Sequence, residues 1–213
     1  MKKPGIKGFR VKTCFGGSKC PNRIDETQAL AGWIADRFEV AKLLDFLRGS
    51  VTEPLKHHHE FKVAIAGCPN ACSRPQIQDI GIIGAFLPVV SEVPCTGCGA
   101  CVLECKEQAI TLDTEMEMPA IDFTACVQCG VCIKICPSQT LTVGKKGFRF
   151  QVGGKLGRKP RLATELPGLY NEEEVLALVD ACIFMYKKHG KSGERFGFIL
   201  QRVGLDEIIA HQN

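Results

Sequence analysis

Long apolar runs are missing from this sequence. No uninterrupted stretch reaches about eighteen residues, so no membrane-spanning helix is expected. The amino terminus, MKKPGIKGF, lacks the apolar core of a secretory leader. Low-complexity tracts are absent too. Aromatics are scarce, 7% of the chain with one Trp and two Tyr, so aliphatic residues and Phe must supply most of the packing. Neither sign of charge dominates: 27 Lys and Arg against 23 Asp and Glu leave a formal +4. The 213 residues, 45% of them apolar, suit one globular domain or two small ones. Cysteine is what the chain has in excess, thirteen residues in all. Such a count means a disulfide scaffold or metal sites. The regular CxxC spacings favour metal, and a reducing cytoplasm is the expected location.

Eight of the cysteines form an internal duplication. The pattern CxxCxxCxxxC occurs at 95–105 and again at 126–136, the repeats starting 31 residues apart. Composition changes near Pro94, and the segment 93–139 reads as a self-contained insert. Each iron of a [4Fe–4S] cube takes a soft anionic ligand, which thiolate supplies. Three cysteines at successive i,i+3 positions wrap one cube, and the fourth ligand comes from the other repeat. Cys95, Cys98, Cys101 and Cys136 are therefore assigned to one cluster. Cys126, Cys129, Cys132 and Cys105 are assigned to a second. The alternative is two structural zincs. The segment resembles a bacterial dicluster ferredoxin, with one departure: Pro137 follows Cys136, but Lys106 follows Cys105. That change bears on turn geometry or potential rather than occupancy.

Four further cysteines lie outside the insert. Cys14 and Cys20 are spaced CxxxxxC, and Cys68 and Cys72 are spaced CxxxC. Zinc more often uses CxxC knuckles; these wider spacings, with Gly16, Gly17, Pro69 and Asn70, suit loops folded over a larger inorganic core. Four buried free thiols are the bland alternative. The two pairs, with GFRVKTC, AIAGCPNACSRP, DIGIIG, GGKLGRKPRLA and GERFGFILQRVG, resemble the carboxy-terminal half of sirohaem-dependent sulfite and nitrite reductases over nearly the whole chain. The resemblance implies an α+β fold, a sulfite-reductase-like sheet covered by helices at 1–92 and 140–213, interrupted by the ferredoxin insert of the anaerobic type. It implies a third [4Fe–4S] cluster on the outer quartet, with Cys72 also ligating sirohaem iron. It implies six-electron reduction of sulfite or nitrite, fed by an electron donor protein. Three oxidised clusters at about –2 each would turn the formal charge to roughly –2, so the net charge gives no case for nucleic acid.

Sirohaem carries carboxylates, for which Arg is a bidentate partner. Lys155, Arg158, Lys159 and Arg161 are candidates for that contact, with a solvated loop as the alternative, and Gly153 and Gly154 would let backbone approach the macrocycle. Arg74 is the local candidate for an anion contact, with an ion pair or cap as its plain alternative; Lys145, Lys146 and Arg149 rank below it. Asn70 and Ser73 are candidates to donate hydrogen bonds around the outer cube. Full-size members of the family have two related halves, and the half supplying most substrate-facing basic residues has no counterpart in these 213 residues. Three accounts follow: a compact monomeric enzyme, a homodimer or partner subunit that completes the haem pocket, or a sirohaem-less three-cluster electron carrier.

The remaining pattern is ordinary. Strands are expected at 9–12, 61–67, within 76–87 and at 147–154. Helices are expected at 25–37, through 38–47, at 172–188 and at 194–203, with a short tail helix at 206–210. Asp25 and Gln28 have capping-box spacing. Cys182 reads as a small buried hydrophobe, and Trp33 as core. His57, His58 and His59 read as a solvated turn, and His189 and His211 as helix-end residues. Met116 and Met118 read as part of a loop between the two cysteine runs.

Overall fold

A computed structural model describes residues 5–15, 19–113 and 118–210 of the chain. Gly16, Gly17, Met116 and His211 lie outside them. The architecture is mixed α+β. The main sheet has five strands: β1 (Phe9–Thr13), β2 (Phe61–Ala66), β3 (Ile80–Val90), β6 (Leu141–Val152) and β7 (Thr164–Glu165), in the order β1-β2-β3-β6-β7. β1, β2 and β3 run parallel, while β6 is antiparallel to β3 and β7 to β6.

Alternation along the strands makes two unlike faces. One carries Phe61, Val63, Ile65, Ile80, Ile82, Phe148, Phe150 and Val152, all buried in a single core. Helices cover it: α1 (Gln28–Val40) through Leu30, Ile34 and Phe38; α2 (Leu43–Ser50) through Leu43 and Leu47; α5 (Glu172–His189) through Val175, Leu178, Val179, Cys182 and Tyr186; and α6 (Phe196–Val203) through Phe196, Ile199 and Leu200. A last short helix, α7 (Asp206–Ile209), adds Ile208. The other face carries small residues, Ala64, Ala66, Gly81 and Ala85, with one larger residue, Ile83, all buried. There the 67–79 loop folds back closely: a Cβ on Gly81 would stand 2.6 Å from the Pro75 carbonyl oxygen.

The helices follow their apolar spacing, but the start of α1 and the place of Trp33 differ from expectation. α1 begins at Gln28, not Asp25, because the Glu26 carboxylate accepts the backbone N–H groups of Thr27 and Gln28. Trp33 is 44% exposed; Leu30, Ile34 and Phe38 already form the inward stripe of α1, and Trp33 falls outside it. α5 opens with a reciprocal capping box between Asn171 and Glu174. Cys182 is fully buried on α5, and burial pushes its thiol well above the usual range.

The duplication extends further than its cysteines. α3 (Ala100–Glu104) and α4 (Val131–Ile135) occupy equivalent places. β4 (Ile110–Leu112) pairs with β5 (Pro119–Ile121), Leu112 opposite Pro119. In the same register, Val143 of β6 pairs with Pro88 of β3. Each repeat therefore has its own three-residue ribbon, and the second is the far end of two body strands. A register shift at Leu87/Pro88 marks where the body sheet becomes that ribbon.

Candidate metal centre

Parallel pairing of β1 and β2 explains how the outer cysteines converge. Thr13 lies opposite Ile65, so Cys14 and Cys68 follow adjacent strand ends. The Cys14 N–H donates to the Ile65 carbonyl at 3.0 Å, and Ile24 N–H donates to the Gly67 carbonyl at 2.7 Å, which folds the Cys20 loop back across the same end. After Cys68 the chain turns sharply: Ala71 N–H donates to the Cys68 carbonyl at 3.1 Å, with Ala71 and Arg74 both left-handed. Burial pushes the Cys68 thiol up, opposed by the Asn70 N–H, and Cys20, Cys72 and Cys14 lie close enough to raise it further. Cys72 is exposed, and Asn70 Nδ2 donates to its Sγ at 3.1 Å.

Two more thiol neighbourhoods lie in the 91–140 segment. Burial raises the Cys101 thiol, and Cys95 and Cys136 add to the effect. Burial also raises Cys126, with Cys129 and Cys105 as thiol neighbours. Cys132 is pushed up to about 11, by burial first and then by Cys129 and Cys126. Its further neighbour Cys101 places the two sets back to back through their buried members. Cys136 goes the other way: burial raises it, but the Leu141 N–H and the Ser138 hydroxyl outweigh that and hold it below the ordinary thiol range. Cys98 is exposed on its loop.

All thirteen cysteines are free thiols. Among the described residues no three cysteine sulfurs lie within 4.8 Å of one another. Tetrahedral zinc with Zn–S bonds of ~2.3 Å would hold its sulfurs about 3.8 Å apart. The thiols are thus grouped, but more widely than a single ion requires.

The basic loop is largely occupied by its own chain. Lys155 is buried, its ammonium bound to the Lys159 carbonyl and 3.8 Å from the Phe198 ring centroid. Arg161 donates to the Gly153 carbonyl at 2.9 Å and to Thr164 Oγ1 at 2.7 Å. Arg158 and Lys159 are exposed. Gly153 and Gly154 lie against this chain's own atoms: a Cβ on the first would meet Arg161 and Leu200, and on the second the Gln76 and Gln78 backbone. Arg74 is exposed and makes no side-chain ion pair among the described residues, whereas Arg149 is engaged with Glu165 and Lys146 with Asp25. Ser73 turns away from the thiols and donates to the Ile65 carbonyl at 2.9 Å.

Three residues were not singled out from sequence. Lys12 has its ammonium pKa lowered by burial and then by Arg74 and Arg10; Arg74 follows Cys72 by two residues. Asp79 is fully buried, accepts the Lys62 N–H at 2.9 Å and pairs with Arg195 at 2.8 Å, tying the start of α6 to the sheet.

The histidine turn is not simply solvated. His59 is buried, and its Nδ1 accepts the Lys56 N–H at 3.1 Å. That bond assigns the proton to Nε2, which faces Glu53 at 3.5 Å. Glu53, His58 and His59 present ligand atoms within 4.8 Å of one another, but a ligating Nε2 needs the opposite tautomer, and Lys56 already holds the second Glu53 oxygen at 2.7 Å. His189 pairs with Glu207 rather than with solvent.

Comparison with known proteins bears on the family and the fold. A family model described as the nitrite and sulphite reductase 4Fe–4S domain matches residues 9–211. The chain belongs to this family. It is 39% identical over 198 residues to the coenzyme F420-dependent sulfite reductase of Methanocaldococcus jannaschii, covering 92% of this chain and 29% of that protein. It is 31% identical over 207 residues to an uncharacterised protein of the same organism, covering 96% of this chain and 66% of the relative. The crystal structure of dissimilatory sulfite reductase I superposes with a TM-score of 0.63 at 19% identity, over 95% of this chain and 51% of that one. This member of the family thus spans less than a third of the first relative's length and 66% of the second's. No described helix is long and apolar enough to cross a membrane.

Proposed function

We propose that this chain is an electron-transfer protein built on the sulfite and nitrite reductase fold. It carries three [4Fe–4S] clusters: one on Cys14, Cys20, Cys68 and Cys72, one on Cys95, Cys98, Cys101 and Cys136, and one on Cys105, Cys126, Cys129 and Cys132. The last two sit in a ferredoxin-like insert at 93–139. The observation that carries the reading is the sorting of free thiols into three neighbourhoods at spacings too wide for one zinc ion. Bound clusters supply reversible one-electron transfer.

The chain's own part is to hold the thiolates and tune them. Equivalent donors serve the two repeats: Gly97 N–H reaches Cys95 Sγ at 3.4 Å, and Gln128 N–H reaches Cys126 Sγ at 3.4 Å. Donors to sulfur stabilise negative charge there and so favour the reduced state.

A second reading is favoured by one observation: Cys72 is exposed, and Arg74, two residues on, is exposed with no carboxylate partner among the described residues. In that reading Cys72 also binds sirohaem, Arg158 and Lys159 remain available to its carboxylates, and the protein reduces sulfite or nitrite. The similarity to a sulfite reductase supports it. Among the described residues, three well-formed hollows of about 360–460 Å³ are lined by residues such as Ile6, Leu44 and Trp33, and not by Cys72. In this reading a second copy or a partner subunit supplies the other wall of the haem pocket.

Anaerobic purification with counts of iron, acid-labile sulfide and extracted haem tests both. About twelve irons without haem supports the relay. One more iron with an extractable sirohaem supports the reductase. About eight irons means that the outer quartet holds no cluster and overturns the three-cluster assignment.

A further inference from the structure

The two cysteine repeats share a backbone but not an environment. Equivalent residues are left-handed in both: Gly97 and Gln128, Gly99 and Gly130, Gln108 and Gln139. Yet Thr96, Gly97 and Cys98 are exposed, whereas their counterparts Val127, Gln128 and Cys129 are half-buried, and Gly130 is buried.

The difference comes from what each loop touches. The Gln128 carbonyl accepts the Phe86 N–H of β3 at 2.9 Å. The Val127 carbonyl accepts Arg149 Nη1 of β6 at 3.3 Å. Two residues beyond Cys132, Lys134 Nζ donates to the carbonyl of Pro21 at 3.4 Å, and Pro21 adjoins Cys20 of the outer quartet. Among the described residues, the hydrogen bonds of the 95–109 loop all stay within 91–140. Leu103 on its helix is 85% exposed.

We propose that the Cys105, Cys126, Cys129, Cys132 set is the inner relay, held beside the outer quartet by Lys134 and Arg149 as positioning residues. The Cys95, Cys98, Cys101, Cys136 set is then the solvent-facing terminus, where a soluble one-electron protein carrier exchanges electrons. This rests on the three-cluster reading. With clusters bound, the three sets would let one electron pass from carrier to terminus to inner set to outer quartet; the carrier would be oxidised by one electron and the outer quartet's group reduced by one, with no covalent bond or proton changing place. The terminus and the inner set adjoin because Cys101 and Cys132 share one buried cluster, and the inner set adjoins the outer quartet through Lys134 and Pro21.

The test uses the full chain, purified anaerobically and reduced stepwise, with iron counted and electron paramagnetic resonance recorded. Wild-type protein holding clearly fewer than about twelve irons overturns the underlying reading, before any question of order arises. With twelve present, Cys98→Ala and Cys129→Ala should each lose about four irons. The magnetic interaction that splits the outer quartet's reduced signal should survive Cys98→Ala and vanish in Cys129→Ala. The reverse pattern, or the same outcome in both variants, overturns the order. Lys134→Met should keep all its iron and weaken the splitting, and Lys134→Arg should restore it. An unchanged splitting in fully loaded Lys134→Met, or a lost splitting that Lys134→Arg does not restore, removes Lys134 from its role. Should either cysteine variant lose more than one cluster, a dysprosium chelate added to wild-type protein decides. The uncoupled insert signal should relax faster than the one coupled to the outer quartet; faster relaxation of the coupled one overturns the proposal.

Discussion

The body sheet and the cysteine-rich excursion from it are held together by different means. The body buries twenty-seven residues in one cluster that joins five helices to the sheet. Among the described residues the excursion's cluster buries four, Cys101, Ile110, Cys132 and, where β6 begins, Leu141, two of which are thiols. Apolar burial at about 25 cal/mol per Å² stabilises the first; it has little area to act on in the second. The difference teaches that in this chain two of the proposed cluster ligands, Cys101 and Cys132, are half of the excursion's buried cluster. A small unit of this kind depends on its metal for its fold.

The strongest way to break that comparison is to take the metal away. Anaerobic chelation of iron should abolish hydrogen-exchange protection at 95–109 and 119–136 while β2, β3 and α5 keep theirs, since metal binding contributes on the order of 10 kcal/mol to such units. Mass-spectrometric exchange on the two preparations reads this directly. Uniform loss across the chain would mean that the body is no more self-sufficient than the excursion. Next in size is an effect confined to the body. Asp79→Ala leaves the Arg195 guanidinium without its partner and the Lys62 N–H without its acceptor. It should cost about 3 kcal/mol, the lower end for a broken buried pair because Arg195 keeps some solvent. Denaturant unfolding should lose that amount, with the iron content per folded molecule unchanged.

Much of this contrast is legible in the residues alone. The doubled CxxCxxCxxxC run announces the excursion, though not the short helices α3 and α4 inside it. Alternation of Phe148, Phe150 and Val152 announces the sheet's inward face. What is not legible depends on contacts between distant parts of the chain. Lys155 reads as a free cation until the Phe198 ring of α6 and the Lys159 carbonyl are placed around it. Ser73 reads as a donor to sulfur until the strand end brings the Ile65 carbonyl to it. His59 reads as solvated until Glu53 and the Lys56 N–H close over it. Gln128 left a trace: it stands where the first repeat has Gly97, which marks the second loop as doing something the first does not.

A finer comparison sets one repeat against the other at a single glycine. Gly99 and Gly130 share a left-handed conformation, φ 70° and 71°. A side chain in that region costs about 1–2 kcal/mol at either. Only at Gly130 does it also collide: the added Cβ would stand 2.6 Å from Phe86 Cδ2, while around Gly99 nothing lies within 4 Å. Overpacking adds about 1–3 kcal/mol. Gly130→Ala should therefore be the more harmful of the pair, by about that margin, with faster iron release as the readout. Equal losses would show that the second loop is not seated on β3 as tightly as its contacts imply.

The smallest effect separates a backbone requirement from a side-chain one. Gln128 is left-handed at φ 61°, and its side-chain oxygen is buried without a partner among the described residues. Glycine at this position would relieve the conformational cost of about 1 kcal/mol and remove the unpaired acceptor. It would retain the carbonyl that takes the Phe86 N–H. Extra freedom in the unfolded chain offsets roughly 0.5–1 kcal/mol of that gain. Gln128→Gly should thus be neutral or slightly stabilising in thermal unfolding, and should leave the magnetic coupling to the outer quartet intact. The reciprocal change, Gly97→Gln, enters open space and pays only the conformational cost, about 1 kcal/mol. If Gln128→Gly instead weakens the coupling, the glutamine side chain and not the backbone seats the inner loop, and the asymmetry between the repeats lies in one residue rather than in the strands beneath it.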